Sequence, residues 1–415
     1  MADCIRILHV FGTLGRGGAE SRIIDLYRHM DRARVQFDFV VHYEADETGN
    51  RCPTSEELLA VRQPDFFDAA VQELGGRIYA VPRFKGFNLM EYRRAWKRLL
   101  EEHAGTWKMI QGHMTSTAAI YLPIAKAAGI PVTIAHARSA GTDPGLKGMM
   151  TRFIRRPLQE DKACDYAFAC TREAGVAVFG EARVSKKDVV ILPNAIEVDR
   201  FAFDEAARTR IRAEYGITEE ALIGHVGRFH YAKNHAYLLR VFAQIKTHAE
   251  IPCKLMCVGK GGALQEKMKT LADELQIAQD VIFTGDQSDI GAFYSAFDCF
   301  CFPSRYEGLP GAVIEAQASG LPCLVSDAVT RDVDVTALVK RAGILEAPEH
   351  WAEMILSDLA LMSDEDGITV KPMRLADKRA AYSSRARKEL QAAGFDVNAQ
   401  AVKMMEFYES GHFDT

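Results

Sequence analysis

The sequence has no apolar run long enough to cross a membrane and no low-complexity tract. A membrane span needs about 18 or more uninterrupted apolar residues, and the most apolar stretch, residues 118–137, is broken by Lys126, one glycine and two prolines. The nine cysteines are scattered without the spacing of a disulfide framework. The first residues place an acid before their apolar run and show no small-residue cleavage pattern, so we expect no secretion signal. These absences favour a globular protein of the reducing cytosol.

The composition is that of an ordinary globular protein, with 48% hydrophobic and 26% charged residues. At about 100–200 residues per domain, the 415 residues indicate two or three domains. Residues 1–193 hold 27 Lys and Arg against 23 Asp and Glu, whereas residues 194–415 hold 24 against 33. This division indicates two domains with different partners, unless it arises by chance.

Short β-rich apolar runs alternate with helical patterns, which predicts parallel sheets with crossover helices. In the first half the predicted strands cover residues 5–11, 37–41, 78–81, 109–113 and 131–136. The pattern starts again with strands at residues 189–192, 222–226, 254–258, 281–284, 299–303 and 322–326. We therefore expect two α/β domains in series, joined near residues 185–200, with a last helix at residues 397–410 that packs back across the join.

A glycine-rich loop, residues 12–20, stands between the first predicted strand and its helix. Glycines let the backbone approach a ligand closely, and the helix start offers free N–H groups to an anion or a sugar hydroxyl. The spacing is not G-x-G-x-x-G and no acid suited to a ribose ends the second strand, so a nicotinamide cofactor is disfavoured. A plain tight turn is the alternative. Glu20 is either an acceptor contact or an ordinary acid at a helix start.

Two cations follow a predicted strand of the second half. Arg228 comes directly after the strand, and Lys233 lies just before the next helix. A guanidinium and an ammonium at the carboxyl end of one strand suit a diphosphate, because ligands of open α/β sheets bind at that edge. Two ordinary surface cations are the alternative reading.

The segment at residues 303–316 places Glu307 and Glu315 eight residues apart around a glycine-flanked helix start. A carboxylate at Glu315 suits the two vicinal hydroxyls of a ribose. A glycosidase is disfavoured, because no second catalytic acid is evident and a diphosphate clamp has no role there. The helix start offers backbone N–H groups to phosphate or sugar oxygens, namely those of Gly308, Leu309 and Gly311.

Six motifs, in this order, resemble the retaining GT-B glycosyltransferases of family four (group-one type), and most closely the capsular and exopolysaccharide enzymes. They are GGAES at 17–21, QGH at 111–113, LPNAIEVDRF at 192–201, GRFHYAKNH at 227–235, FTGD at 283–286 and SRYEGLPGAVIEAQASGLP at 304–322. The resemblance implies two Rossmann-like parallel-sheet domains that face each other across a cleft. Residues 1–190 with the C-terminal helix 397–415 would be the acceptor domain, and residues 191–396 the nucleotide-sugar donor domain.

The resemblance also implies the roles of donor-site residues. Arg228 and Lys233 match the pair that holds the diphosphate, Glu315 matches the residue that binds the ribose, and Glu307 matches a glutamate near the donor sugar. The backbone of residues 308–311 matches the loop that contacts sugar and phosphate. The backbone near Thr284 is expected to contact the base.

In the first domain the resemblance is carried by fewer residues. Gly17 and Gly18 match the loop that closes over the phosphates, and His113 matches a histidine near the donor sugar and the reaction centre. We therefore count His113 with Glu307, Arg228 and Lys233 as catalytic. His136 and Arg138 are expected on the acceptor side, with packing as an equal alternative.

The implied activity is transfer of a hexose from a nucleotide diphosphate sugar to a lipid-linked saccharide with retention of configuration, in bacterial capsular or exopolysaccharide synthesis. The donor that we expect is a UDP-sugar. No D-x-D ends a strand, so we expect no metal and no cofactor besides the co-substrate. A GT-B sugar-nucleotide epimerase and a non-catalytic sugar-nucleotide-binding protein remain alternatives.

Two basic segments interleaved with apolar residues, 83–98 and 147–156, suit an anionic membrane surface or a lipid-diphosphate acceptor. Two solvated helix faces are the alternative. Nucleic acid is not an expected partner, because the net charge is −5 and no binding motif is present. We expect a cytoplasmic protein that associates peripherally with the inner face of the membrane. The long stretch 44–64 lies on the acceptor side and leaves the acceptor open.

Overall fold

The computed structural model describes residues 4–15, 17–44, 52–138, 145–362 and 372–413, without the side chains of residues 145–147, 360–362 and 372–377. The chain divides into two compact units. Unit 1 comprises Met1–Ala195 with Val397–Thr415, and unit 2 comprises Ile196–Asp396. Each unit is built on one parallel sheet with helical connections, so the expected α/β class is confirmed.

Unit 1 contains a seven-stranded sheet in the order β3-β2-β1-β4-β5-β6-β7. Its strands are β1 (Ile5–Val10), β2 (Val35–Tyr43), β3 (Ile78–Pro82), β4 (Met109–Gly112), β5 (Val132–Ala137), β6 (Tyr166–Ala169) and β7 (Val189–Ile191). The strand order reverses between β1 and β4, which pair in parallel with Val10 beside Gly112. In open α/β sheets, the carboxyl ends of the strands at such a reversal form the usual ligand site.

The helices of unit 1 are α1 (Gly18–His29), α2 (Ser55–Val61), α3 (Asp68–Glu73), α4 (Leu89–Glu102), α5 (Ala118–Ala127), α6 (Gly145–Gln159), α7 (Arg172–Phe179), α8 (Glu181–Ser185) and, from the end of the chain, α16 (Val397–Ser410). Alternate residues of β2, namely Val35, Phe37, Phe39 and Val41, belong to the core. Tyr27 of α1 stacks on Phe37 of β2 with ring centroids 4.7 Å apart, and Tyr408 of α16 meets the same ring edge-on at 5.7 Å. The last helix is therefore part of the core of unit 1.

The strand at residues 189–192 was expected to open the second domain, and the structure corrects this assignment. β7 pairs in parallel with β6, with Ala167 beside Val189, and completes the first sheet. The division between the units therefore falls after Ala195 instead of residue 190. The sequence of a three-residue strand does not indicate which strand lies beside it. The apolar pattern also did not predict the short β6.

The long stretch at residues 44–64 contains α2, while residues 45–51 lie outside the described part of the chain. Thr54 and Glu57 form a capping box at the start of α2. Leu58 is fully buried, and the hydroxyl of Ser55 accepts a hydrogen bond from the backbone N–H of Ala80 in β3. The described part of this stretch is thus packed onto the sheet.

Unit 2 contains a six-stranded sheet in the order β10-β9-β8-β11-β12-β13. Its strands are β8 (Ala221–Val226), β9 (Cys253–Val258), β10 (Val281–Gly285), β11 (Cys299–Phe302), β12 (Cys323–Ser326) and β13 (Val339–Ala342). Its helices are α9 (Glu205–Glu214), α10 (His235–His248), α11 (Ala263–Glu274), α12 (Ile290–Ala296), α13 (Gly311–Ala318), α14 (Pro348–Met362) and α15 (Pro372–Ala392). Here the order reverses between β8 and β11.

The cysteines are free thiols throughout, as their irregular spacing indicates. Cys257 and Cys301 lie in the core of unit 2, where burial raises the pKa of Cys257 to about 12. No helix of the described residues combines the length and apolar character needed to span a bilayer.

Candidate functional site

Three glycines lie at the carboxyl ends of the strands β8, β9 and β10, at one edge of the sheet of unit 2. The N–H of Gly259 donates to the carbonyl of Gly285 at 2.9 Å, and Gly259 has a φ of +153°. A Cβ at Gly259 would lie 2.2 Å from the carbonyl oxygen of Gly227. Only glycine permits this approach, which draws the three loops together beside the predicted cations.

Lys233 and Glu307 form an ion pair at this edge. Lys233 ends a single 3₁₀ turn before α10, and its Nζ lies 2.7 Å from Oε1 of Glu307 and 4.6 Å from the centroid of the Phe302 ring. A Cβ at Gly227 would lie 3.2 Å from the Lys233 side chain, which therefore passes directly over that glycine. The structure thus brings together two predicted catalytic residues from motifs more than seventy positions apart.

Asn234 and Arg305 join the two motifs. Asn234 adopts a left-handed φ of +57°, which asparagine tolerates, and its Nδ2 donates to the carbonyl of Pro303 at 3.2 Å. Nη2 of Arg305 donates to Oδ1 of Asn234 at 2.9 Å, and the Arg305 guanidinium lies over the Tyr231 ring. These contacts hold the Lys233 turn against the loop that carries Glu307. Neither Asn234 nor Arg305 was predicted as a site residue.

Arg228 and Thr284 lie at the same edge without contacting this pair. Arg228 is exposed, and it makes no hydrogen bond or ion pair to any described residue. Its charge is therefore available to a ligand. The carbonyl of Thr284 accepts from Nε2 of Gln287 at 3.0 Å, so that the loop after β10 folds on itself.

Glu315 is oriented by a buried tyrosine. It stands in the second turn of α13, is 9% exposed, and accepts a hydrogen bond of 3.0 Å from the hydroxyl of Tyr294 in α12. α13 begins at Gly311 behind Pro310, and no side chain caps it. Gly308 is half-buried and Leu309 is buried beside this helix start. Tyr294 was not anticipated, because only packing of α12 on α13 brings it here.

Two histidines not anticipated as site residues lie close to Lys233. The rings of Phe229 and His235 stack with centroids 4.1 Å apart, and His225 meets His235 edge-on. Burial, reinforced by the neighbouring imidazole and the Lys233 charge, lowers the pKa of His235 to about 2. Burial lowers the pKa of His225 to about 4 as well. Both rings are therefore neutral near pH 7, and Lys233 is the charged member of this group of three.

In unit 1, His113 directly follows β4 and is the centre of a hydrogen-bonded chain. Its Nε2 lies 3.0 Å from Nδ1 of His9 in β1, and its Nδ1 accepts from Nε of Arg138 at 3.3 Å. The guanidinium of Arg138 also donates, through Nη1, to Oδ1 of Asn194. His113 is stacked on the ring of Phe11 with centroids 4.4 Å apart. The carboxyl ends of β1, β4 and β5 thus meet at this histidine.

His136 belongs to a second chain, which reaches the last helix. Nε2 of Gln111 donates to Nδ1 of His136 at 2.9 Å, and Oε1 of Gln111 accepts from the hydroxyl of Tyr408 at 2.8 Å. His136 has no exposed surface, which favours the packing alternative over an acceptor contact. Gln111 belongs to the motif at 111–113 and Tyr408 to the predicted last helix, and the sequence assigned neither a role.

The glycine loop of unit 1 is shaped by Glu20. Gly17 caps α1 with an extended backbone, and a Cβ there would lie 2.0 Å from Oε2 of Glu20. The Glu20 carboxylate therefore lies against the amino end of α1, a position that the helix dipole favours. Gly18 is exposed at the first position of that helix.

The chain matches two family models, described as Glycosyl transferases group 1 over residues 207–389 and Glycosyltransferase Family 4 over residues 16–200. "Putative glycosyltransferase EpsF" of Bacillus subtilis is 34% identical over 357 residues, which are 84% of this chain and 86% of that protein. The capsular polysaccharide biosynthesis glycosyltransferase CapH of Staphylococcus aureus is 21% identical over 98% of this chain and 99% of its own. The Anabaena protein Alr3699/HepE, solved with UDP and glucose, has the same fold, with a TM-score of 0.73 and 14% identity over 98% of this chain and all of its own.

Proposed function

The chain belongs to the glycosyltransferases, and on that premise we propose that it moves a hexose from a UDP-sugar to a lipid-linked saccharide with retention of configuration. Its place would be the synthesis of a bacterial capsule or exopolysaccharide, at the cytoplasmic face of the membrane. The relationship to CapH supports the polysaccharide class, and the UDP and glucose bound by HepE support the donor class.

The observation that carries the donor half is the Lys233–Glu307 pair beside the exposed Arg228. Rupture of an anomeric C–O bond leaves a nucleoside diphosphate with additional negative charge, and fixed cations stabilise that charge as it develops. Lys233, held 2.7 Å from Glu307, is such a fixed cation, and Arg228 adds an exposed one. We assign Glu307 to the donor sugar, and we assign to the phosphates the backbone of residues 308–311, which leads into the uncapped start of α13.

Glu315 is assigned to the ribose of the donor. A carboxylate accepts hydrogen bonds from two vicinal hydroxyls, and the Tyr294 hydroxyl at 3.0 Å sets its orientation before the nucleotide arrives. The base would be read by the loop at Thr284. Because Arg228 and Lys233 provide positive charge at the diphosphate, this mechanism requires no metal, and chelation of divalent ions is expected to leave transfer unchanged.

Retention can proceed without a protein base. The departing phosphate oxygen, on the same face of the sugar as the incoming acceptor, can take the acceptor proton as the new bond forms. The phosphate oxygen is then the proton acceptor, and the enzyme contributes by holding the two reactants close together.

Calorimetric titration with UDP, GDP, ADP and TDP tests the donor half. We expect UDP to bind most tightly, and Glu315→Ala to weaken that binding about 10- to 100-fold, since hydrogen bonds to a charged group contribute about 1.5–3 kcal/mol. Glu349→Ala, which removes an exposed carboxylate of the same unit, is the control. Absence of binding by all four diphosphates would contradict the proposal and favour the non-catalytic alternative.

Transfer itself is tested by incubating the protein with UDP-sugars, with and without membrane lipid extract that contains lipid-linked saccharides. We expect labelled sugar in the lipid fraction only when that extract is present. Release of free UDP and an altered sugar in the absence of any acceptor would instead favour the epimerase.

A further inference from the structure

We propose that Arg138 is a positioning residue that keeps His113 uncharged and in one tautomer, so that His113 takes no part in proton transfer. Arg138 was expected among the acceptor contacts, and its geometry assigns it this different task. The consequence for catalysis rests on the proposed function, whereas the state of the His113 ring does not.

The direction of each hydrogen bond follows from the donors present. The Nε–H of an arginine can only donate, so Nδ1 of His113, 3.3 Å away, is an acceptor and carries no proton. A neutral imidazole has one N–H, which must then be on Nε2 of His113. That N–H donates to Nδ1 of His9 at 3.0 Å. His9 in turn carries its own proton on Nε2.

The chain is anchored at both ends. Asn194, 7% exposed and located just after β7, accepts from the Arg138 guanidinium and sets its direction. At the other end, the His9 ring is fully buried among aromatic rings, 4.2 Å from the centroid of Phe37. The planes of His9 and His113 differ by only 11°. His113 therefore has little freedom to turn either nitrogen away from its partner.

The charges around His113 act in the same direction. The titratable groups that act on it are Arg138, His136 and His9, and each of them disfavours a second proton. Burial makes the largest contribution to lowering the pKa of His113, followed by the Arg138 cation. Protonation of Nδ1 would place two cations in hydrogen-bond contact. The ring thus has no vacant nitrogen to accept the proton of an incoming hydroxyl.

The test is a long-range ¹H–¹⁵N correlation spectrum of the full-length protein labelled at its histidines, recorded from pH 8 to pH 5. The signals of His113 are identified by their loss in His113→Gln. We expect a neutral ring with its proton on Nε2 and shifts that stay constant across this range. A His113 ring protonated on Nδ1, or one that titrates near pH 6.5, would overturn the proposal.

Substitution of the arginine supplies the second arm. In Arg138→Leu we expect His113 to titrate at a higher pH than in the unaltered protein. In Arg138→Lys, which keeps the charge, we expect the pKa of His113 to stay low. Arg172→Leu removes an exposed cation of the same unit from α7 and is expected to leave His113 unchanged. An unchanged His113 titration in Arg138→Leu would also count against the proposal.

The kinetic arm separates this proposal from the proposed function. For an active transferase, the pH profile of kcat should show no inflection assignable to His113, and Arg138→Leu should acquire one. If no transfer is found with any donor, the proposed function fails while the spectra still decide the state of His113.

Discussion

At the scale of single residues, the ion pair of Lys233 and Glu307 has a close counterpart elsewhere in unit 2. Lys254 lies 3.0 Å from Glu220, and the lysine and glutamate side chains are 19% and 18% exposed, against 19% and 16% in the Lys233 pair. Lys254 stands near the beginning of β9, whereas Lys233 lies at the carboxyl edge of the sheet. The two pairs are therefore similar in exposure, and only the Lys233 pair lies at the edge where ligands of open α/β sheets bind.

Lys233→Ala is expected to reduce the rate of sugar transfer about 100- to 1000-fold, because loss of one preorganised electrostatic partner of the transition state typically has this effect. Its effect on stability should be small, about 1 kcal/mol or less, since a partly exposed pair contributes little. Steady-state kinetics and denaturant unfolding measure the two quantities.

Lys254→Ala is the matched control for this substitution and should leave the transfer rate within about twofold while changing stability equally little. Equal rates for Lys233→Ala and the unaltered protein would contradict the donor assignment.

Arg155 in α6 is a buried cation with few partners. It is 8% exposed, and its only hydrogen bond among the described residues is from Nη2 to the hydroxyl of Thr115 at 3.1 Å. Within the described ranges, Nε and Nη1 have no hydrogen-bond partner, and burial lowers the pKa of the guanidinium. By contrast, Arg208, which is equally buried, pairs with Asp298 at 2.6 Å. A buried charge without a counter-ion is unfavourable.

We expect Arg155→Met to raise the free energy of unfolding by about 1–2 kcal/mol, because an apolar side chain of similar length removes an unpaired buried charge. Arg208→Met removes one of the cations paired with Asp298 and should lower the free energy of unfolding by about 3–5 kcal/mol. Urea unfolding followed by circular dichroism measures both. A clear loss of stability in Arg155→Met would show that its packing outweighs its charge.

At the scale of elements, α6 and the start of α4 present large apolar side chains to solvent. The exposed fractions are 85% for Phe87, 62% for Met90, 58% for Met149 and 77% for Phe153. Gly86 brings the two segments together, since a Cβ there would lie 3.2 Å from the methyl group of Met150. Exposed arginines are interleaved with these residues in both segments. Contiguous apolar surface rimmed by cations suits an anionic membrane.

We predict that the protein sediments with vesicles containing phosphatidylglycerol and much less with vesicles of phosphatidylcholine alone, because the cations require an anionic surface. The double variant Phe87→Ser/Phe153→Ser should lose most of this binding without a change in nucleotide affinity.

Phe66→Ser, which removes an aromatic side chain of 53% exposure elsewhere in the same unit, is the control. Equal sedimentation of the double variant and the unaltered protein would remove the support for this membrane surface.

At the scale of the whole molecule, six buried histidines are held neutral, and they are distributed unequally. Unit 1 contains four of them, His9, His42, His113 and His136, and unit 2 contains His225 and His235. Burial lowers the pKa of His9 to about 3 and that of His42 to about 4. In the unfolded chain these side chains titrate near pH 6.5. The unfolded state therefore binds more protons below that pH, so folding stability is complete above about pH 6.5 and falls as the pH decreases toward the folded values.

Unit 1 should consequently lose stability about twice as steeply as unit 2 between pH 6 and pH 4, at up to about 1.4 kcal/mol per pH unit for each histidine. Tryptophan fluorescence distinguishes the units, because Trp96 and Trp107 lie in unit 1 and Trp351 in unit 2. Trp351→Phe reports on unit 1, and the double variant Trp96→Phe/Trp107→Phe reports on unit 2. Equal acid sensitivity of the two signals would contradict this prediction.

Much of the architecture is determined by the sequence alone, because hydrophobic periodicity and glycine position are local properties. The strands with clear apolar runs, the helix start of α13, the last helix α16 and the family itself all follow from residues close together in the chain. The motifs around Arg228, Lys233, Glu307 and Glu315 were recognisable for the same reason.

Only the tertiary structure decided which distant residues meet. It placed β7 in the first sheet, set Tyr294 against Glu315, and linked Tyr408 of the last helix to Gln111. It also separated Arg155 from the exposed cations of the same segment and made Arg138 a partner of His113. Burial, hydrogen-bond direction and ion pairing depend on the packing of elements far apart in sequence, and no local pattern encodes them.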